Sequence, residues 1–266
     1  MNQPALDFVA DRHRRILERA RQTGSVAVEA LASEFGVTPQ TIRKDLNDLA
    51  ARAMLARVHG GAVVTSGVDN LDHATRAAVA SNAKAAIGAA AARLVPEGAS
   101  LFVNIGTTTE AVARALTAHR ELLAITNNLN VVDILAGRAG IEVIAAGGRV
   151  RASDRAVVGA LAMDFIRGFR VDYAVIGASA IDADGTLLDF DVEEVRVSQT
   201  IIAHARKVIL VADSSKVGRP APVRIAGIDA VDHLVTDRCN PALAEACREY
   251  GVDVVETASG TTTDNA

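Results

Sequence analysis

Residues 26–64 read VAVEALASEFGVTPQTIRKDLNDLAARAMLARVHGGAVV, and their spacing decides how the N-terminal part of the chain is organised. Ala30, Leu31 and Phe35 fall on one face of a short helix, and Gly36 supplies the permissive backbone that a sharp turn requires. Thr38 is placed to cap a second helix, and Pro39 takes its first position, where no N–H is needed. Ile42, Leu46 and Leu49 recur at i, i+4 and i+7, which predicts a helix over 39–52 with an apolar inner face. Gln40, Thr41, Arg43, Lys44 and Asn47 then face outward, a set of donors and acceptors suited to base edges and phosphates. The planar fork of Arg43 suits a base, and the flexible point charge of Lys44 suits a phosphate. Residues 55–64 alternate loosely and turn at Gly60 and Gly61, as a short hairpin wing does, which sets Arg57 and His59 against a nucleic-acid backbone. The pattern is that of a winged helix-turn-helix, although two amphipathic helices joined at a glycine also describe a plain helical hairpin.

Charge leans the same way. Residues 1–64 hold nine Lys and Arg against seven acids, a balance of +2; the remainder carries 19 basic and 25 acidic side chains, −6, and together they give the −4 of the whole chain. The basic part is the part with the helix-turn-helix. The five arginines between Arg12 and Arg21 equally describe a solvated helix face.

The chain has 266 residues, 50% hydrophobic and 23% charged, enough for two domains with full cores. No run of 18 uncharged apolar residues occurs, and the N-terminus lacks the basic-then-apolar order of a signal peptide, so a cytoplasmic protein with no membrane partner is expected. Cys239 and Cys247, with no nearby pair of histidines, indicate plain thiols rather than a disulfide or a metal site, and no cofactor is expected.

Residues 1–64 are read as the first domain and the polar stretch 65–81 as a linker entering a helix. Residues 82–257 form the second domain, and 258–266 a disordered tail. An alanine-rich helix over 82–94 is followed by strands at 100–105, 122–126, 141–145, 173–176 and 208–211, with helices at 110–118, 129–135 and 192–204. Such alternation predicts a parallel sheet covered on both faces, hence an α/β fold class overall. In such sheets ligands bind beyond the carboxyl ends of the strands. There the chain places Gly106, Thr107, Thr108 and Thr109, then Asn127 and Asn128, Gly147 and Gly148, and Lys216 after Asp213-Ser214-Ser215. Helix-start N–H groups, hydroxyls and a lysine make a place for a phosphate, although each loop alone also reads as an ordinary cap. Asp189, Asp191, Glu193 and Glu194 crowd a loop-to-helix junction, where Asp191 and Glu194 could accept from ligand hydroxyls or simply complement the helix dipole.

Residues 12–62, above all TIRKDLNDL and RVHGGA, closely resemble the N-terminal DNA-binding domain of the DeoR family of bacterial transcriptional regulators. NIGTTTEAVARAL, ITNNLNVV, AAGGRVR, DYAVIGASAID, GTLLDFDVEEVR and VADSSKVGR resemble the family's sugar-phosphate-sensing domain, which is related in fold to ribose-5-phosphate isomerase. The resemblance implies a repressor of a carbohydrate or glycerol catabolism operon that binds double-stranded operator DNA as a homo-oligomer, dimer or tetramer. It also implies release by a phosphorylated effector, glycerol-3-phosphate or a sugar phosphate. By that resemblance Gly106 to Thr109, Asn127, Asn128, Gly147, Gly148 and Lys216 hold the phosphate, and Asp191 and Glu194 face the hydroxyls. The chain departs from the common family pattern at Asn104, where many members carry Asp, and at Ser198, where many carry a basic residue. An isomerase or lactonase with Glu194 or Asp191 as base and Lys216 as electrostatic partner is the alternative, and an attached helix-turn-helix argues against it. A purely oligomerising second domain is a third reading.

Overall fold

The computed structural model describes residues 3–23, 25–51, 55–58, 61–63, 73–78 and 80–257, and the chain divides into two compact units, Met1–Leu71 and Asp72–Ala266. The first unit runs α1 (Gln3–Thr23), β1 (Ser25–Ala27), α2 (Val28–Phe35), α3 (Pro39–Ala51), β2 (Ala56–Val58) and β3 (Gly61–Val63). The strands form one antiparallel sheet in the order β1-β3-β2. Helix α2 ends because Gly36 takes φ 63, a left-handed conformation that costs a residue with a Cβ about 1 kcal/mol or more. Thr38 Oγ1 then accepts the backbone N–H of Thr41, 3.2 Å away, and opens α3 as the spacing predicts. Ile42, Leu46 and Leu49 are fully buried with Ile16, Val28, Leu31 and Leu55. Ala30, expected on the inner face, is exposed; Val28 and Ala32 take that place, because the helix begins at Val28 and its buried stripe runs 28, 31, 32.

The second unit opens with α4 (His73–Ala78) and α5 (Ser81–Ala92) and continues through β4 (Ser100–Val103), α6 (Thr107–Leu116), β5 (Leu122–Thr126), α7 (Leu129–Leu135) and β6 (Ile141–Ala145). A hairpin of β7 (Arg149–Arg151) and β8 (Ala156–Val158) precedes α8 (Ala160–Arg167), β9 (Val171–Ile176), β10 (Ala180–Ile181) and β11 (Leu187–Asp189). Then come α9 (Val192–Ala203), β12 (Ala205–Val211), a 3₁₀ turn at Ser214–Lys216, β13 (Val223–Ala226), a second 3₁₀ turn at Ile228–Ala230, β14 (His233–Thr236), α10 (Pro241–Glu249) and β15 (Asp253–Glu256). Seven strands form one wholly parallel sheet in the order β15-β14-β12-β9-β4-β5-β6, and β10-β11-β13 make a small antiparallel sheet. The central strands read as continuous apolar runs, SLFV and VILV, because both faces are covered. One core, with Phe102, Ile176, Ile201 and Leu210, fills one face of the sheet; another, with Ile87, Leu101, Val112 and Leu135, fills the other.

Part of the expected linker is structure. Residues 73–78 form α4, and its polar side chains bond into the second unit, which is why a stretch without apolar periodicity folds there. Residues 258–266, expected as a tail, lie outside the described residues. Among the described residues no helix is long and apolar enough to cross a membrane.

Candidate functional site

In the first unit α3 presents Gln40, Arg43, Lys44 and Asn47 to solvent, with Thr41 half-buried and bonded to Thr38. Only a loose contact holds Arg43, 3.4 Å from the exposed Glu29. Asp45, on the inner side of α3, is buried and clamped by Arg12 at 2.6 and 3.1 Å and by His13 at 3.1 Å. The arginine row of α1 is largely spent inside this unit. Arg14 pairs with Asp11 and Glu18, Arg15 lies over the Phe35 ring, and Arg19 faces Glu34. Among the described residues, the outer side of α3 keeps its polar side chains exposed. The backbone of Arg57 runs in β2, and His59 lies outside the described residues.

In the second unit a narrow cleft opens beyond the carboxyl ends of β4, β9 and β12, with about 30 Å³ of free space. Gly106 to Thr109 form one wall. Gly106, at φ 137, precedes the first turn of α6, and among the described residues no acceptor meets the N–H groups of Thr107, Thr108 and Thr109. Helix starts leave such donors free, and they are anion binders. Lys216 closes a second side. Burial, only partly offset by Asp213, pulls its ammonium down to about 8, with Arg219, Lys84 and Arg76 adding repulsion. Asp189, Glu194 and Ser179 also line the cleft. Burial, reinforced by the neighbouring Asp189, pushes the Glu194 carboxyl up to about 7 against the pull of Arg151. Asp189 is raised by burial as well. The cleft thus brings together N–H donors, a cation and carboxyl groups.

Six of the eleven expected effector residues meet in this cleft: Gly106, Thr107, Thr108, Thr109, Glu194 and Lys216. The other five stand outside its lining. Asp191 caps α9 through the N–H groups of Glu193 and Glu194 and takes a bond from Arg151 at 2.8 Å. Asn128 caps α7 and donates to Glu110. Asn127 bonds the carbonyl of Val157, while its own side-chain oxygen is buried without a partner. Gly147 and Gly148 lead into the β7–β8 hairpin, Gly148 against Val157.

Sequence reasoning passed over four side chains. Arg76, on α4, lines the cleft. Asp189 belongs to the acidic junction and lines the cleft with Glu194. Arg151 gathers Asp154, Asp191 and Glu194 within 3.0 Å, and Asp154 answers it at 2.6 Å. No local pattern announces an arginine whose partners lie 3, 40 and 43 positions away. The two departures from the family pattern meet each other: Asn104 Nδ2 donates to Ser198 Oγ at 2.8 Å, a neutral pair in a buried spot.

A larger cleft, about 390 Å³, lies at the amino ends of β12, β14 and β15. There Asp232 accepts the Val208 N–H, and His233 faces Asp253 at 3.6 Å. Cys239 and Cys247 are free, and among the described residues no group of histidine, cysteine or acidic side chains could hold a metal ion.

Comparison with known proteins decides between the readings. The DeoR-like helix-turn-helix domain matches residues 12–68, and the DeoR C-terminal sensor domain matches residues 79–238. The chain belongs to the DeoR family. The glycerol-3-phosphate regulon repressor of Escherichia coli is 44% identical over 230 residues, covering 86% of this chain and 91% of that one. Its counterpart in Haemophilus influenzae is 44% identical over 244 residues, 92% and 95% of the two chains. The E. coli repressor CsqR is 39% identical over 231 residues, 87% and 88% of the two. A solved D-ribose-5-phosphate isomerase is similar in fold, at 14% identity and TM-score 0.38 over 52% of this chain and 54% of that one. This DeoR-family protein is a helix-turn-helix transcriptional regulator, and the isomerase or lactonase reading gives way to that one.

Proposed function

We propose that this protein represses an operon of glycerol or carbohydrate catabolism and leaves its operator when a phosphorylated three- to six-carbon metabolite, glycerol-3-phosphate foremost, fills the second-unit cleft. The observation that carries the reading is one chain with both an exposed polar face on α3 and a cleft lined by free helix-start N–H groups, a lysine and carboxyl groups. The relatives named glycerol-3-phosphate regulon repressor favour that ligand among phosphorylated compounds. Phosphate would sit on the N–H groups of Thr107 to Thr109 with Lys216 beside it, and hydroxyls would bond Glu194 and Asp189. Two chains would set their recognition helices in successive major grooves about one DNA turn apart. Effector coupling of ~1–3 kcal/mol, a factor of ~5–150 in DNA affinity, suffices to free a promoter.

A duplex selected from random DNA by the full-length protein supplies the binding assay. Glycerol-3-phosphate is expected to raise the unfolding midpoint of the protein, by mass action, and to release that duplex without itself being consumed. A panel with fructose phosphates and ribose-5-phosphate tests the alternatives; silence from every compound in both assays would sink the reading. For the DNA face, Arg43→Ala is expected to cost about 1–3 kcal/mol of specific affinity and little of non-specific affinity. Equal losses on selected and scrambled duplexes would make Arg43 a phosphate contact instead.

A further inference from the structure

Arg76 stands out among the charged groups of the second unit because it is largely enclosed and poorly satisfied. Its side chain is 14% exposed, yet its Nε has no partner and its nearest carboxylate, Asp154, is 3.7 Å away. Asp154 is already taken: Arg151 holds both of its oxygens, at 3.0 and 2.6 Å, and that pairing keeps the Asp154 carboxyl below its ordinary range despite burial. A buried guanidinium left in this state costs the fold free energy unless something else meets it.

The backbone that carries Arg76 is nonetheless fixed at both ends. The buried ammonium of Lys84 donates to the Arg76 carbonyl, and His73 pairs with Glu110 at 2.7 Å. Glu110 belongs to the first turn of α6, and Asn128 and Asn130 donate to it as well, at 3.3 and 3.0 Å. Helix α4 is therefore tied to the same helix start whose free N–H groups line the cleft, and Arg76 lines that cleft with them. A rigid mount, an unspent donor and a pocket opening together describe a group waiting for an anion.

We propose that Arg76 is a ligand of the effector's phosphate, and that its capture is how the occupied cleft reaches the segment leading into the DNA-binding unit. This rests on the effector-cleft reading and adds to it a residue on α4, which begins two positions after the boundary at Leu71. The chemistry favours a phosphomonoester. A guanidinium presents two parallel donors to such a group, while the N–H groups of Thr107 to Thr109 and the Lys216 ammonium take the remaining oxygens.

The test is calorimetric titration of the full-length protein with glycerol-3-phosphate, ribose-5-phosphate and inorganic phosphate, paired with release of the selected duplex. Wild-type protein binds at least one of these, and Arg76→Gln weakens that binding by roughly 10- to 100-fold and abolishes release while leaving DNA affinity unchanged. Arg76→Lys, which keeps the charge but loses the fork, falls between. Asp154→Asn separates a ligand from a structural partner. If Arg76 only supports Asp154, both variants weaken binding alike, and the proposal is overturned; if it holds phosphate, Asp154→Asn frees the guanidinium and binding stays level or tightens. Unchanged affinity in Arg76→Gln overturns the proposal while the cleft survives. No wild-type response to any of the three compounds overturns the cleft and the assignment together.

Discussion

Replacing Lys216 by methionine is expected to raise the unfolding midpoint of the ligand-free protein at pH 7 and to weaken phosphorylated-effector binding by 10-fold or more. Both effects come from burial. It is the largest cause of the fall in the Lys216 pKa to about 8, and the attraction of Asp213 recovers only part of the loss. Because the folded pKa lies below the ordinary 10.5, the folded state disfavours the charged form. The lysine's contribution to stability is therefore full above about 10.5 and is lost as pH falls through 8. At pH 7 the whole penalty is present, on the order of 3 kcal/mol from the shift in pKa, and Met, similar in length and uncharged, removes it. The net gain is smaller, about 1–2 kcal/mol, since Asp213 keeps a buried oxygen with no partner and loses its neighbouring cation. A charge-assisted bond to phosphate is worth about 1.5–3 kcal/mol, which sets the loss in effector affinity. DNA affinity should stay where it is, because Lys216 belongs to the second unit. Thermal melts and effector titrations of the two proteins check this. Full effector affinity in the variant would take Lys216 out of the cleft, and an unchanged midpoint would mean that its ammonium reaches water.

The part of the molecule legible in sequence is the part whose signals are local. Thr38, Pro39 and the Ile42, Leu46, Leu49 repeat lie within one helix, and α3 forms with that cap and that buried face. Three elements, Leu122–Thr126, Leu129–Leu135 and Ile141–Ala145, have the bounds that the sequence predicts, because apolar runs and turn residues delimit them sharply. The sequence does not announce β15, at one edge of the sheet, or β14 beside it. HLVT and DVVE are short, and polar residues at their ends dilute the apolar run. The cleft was half legible for a related reason. Strand-end loops named Gly106 to Thr109 and Lys216, since position after a strand is a sequence property. Whether an asparagine points into a cleft or caps its own helix is not, and Asn128 caps α7. Arg76 was hidden in a stretch whose helix is held by side-chain bonds to residues some 8 to 78 positions away, and no periodicity records such bonds.

Glu194 should leave a signature in the pH dependence of stability that Gln at the same position erases. Its carboxyl is pushed up to about 7, by burial first and by the adjacent Asp189 second, with Arg151 pulling the other way. Asp189 and Glu194 share one confined space, so they titrate as a pair rather than singly. A folded pKa above the ordinary 4.5 means that the folded state holds the proton more tightly than the unfolded chain does. The associated stability is then complete below about 4.5 and is lost as pH rises through 7. Lys216 runs in the opposite sense, its contribution returning as pH climbs from 8. The wild-type protein without effector should therefore pass through a stability minimum between about pH 7 and 8, with the acid-side limb worth up to ~3 kcal/mol from the shift in the Glu194 pKa. Glu194→Gln flattens that limb and makes the protein more stable than wild type at pH 8, whereas Lys216→Met flattens the alkaline limb. Asp154 and Asp191, both held below their ordinary range by Arg151 and by backbone N–H groups, lose their contributions only under more acid conditions, so denaturant melts from pH 5 to 9 isolate the pair. The minimum follows from a cleft in which a carboxyl and an ammonium group are both largely withdrawn from water, and a bound phosphate would ease the penalty on the Lys216 ammonium. A wild-type profile that is flat from pH 5 to 9 would mean that Glu194 and Lys216 are solvated, and the cleft would lose the electrostatic strain that a bound phosphate is expected to relieve.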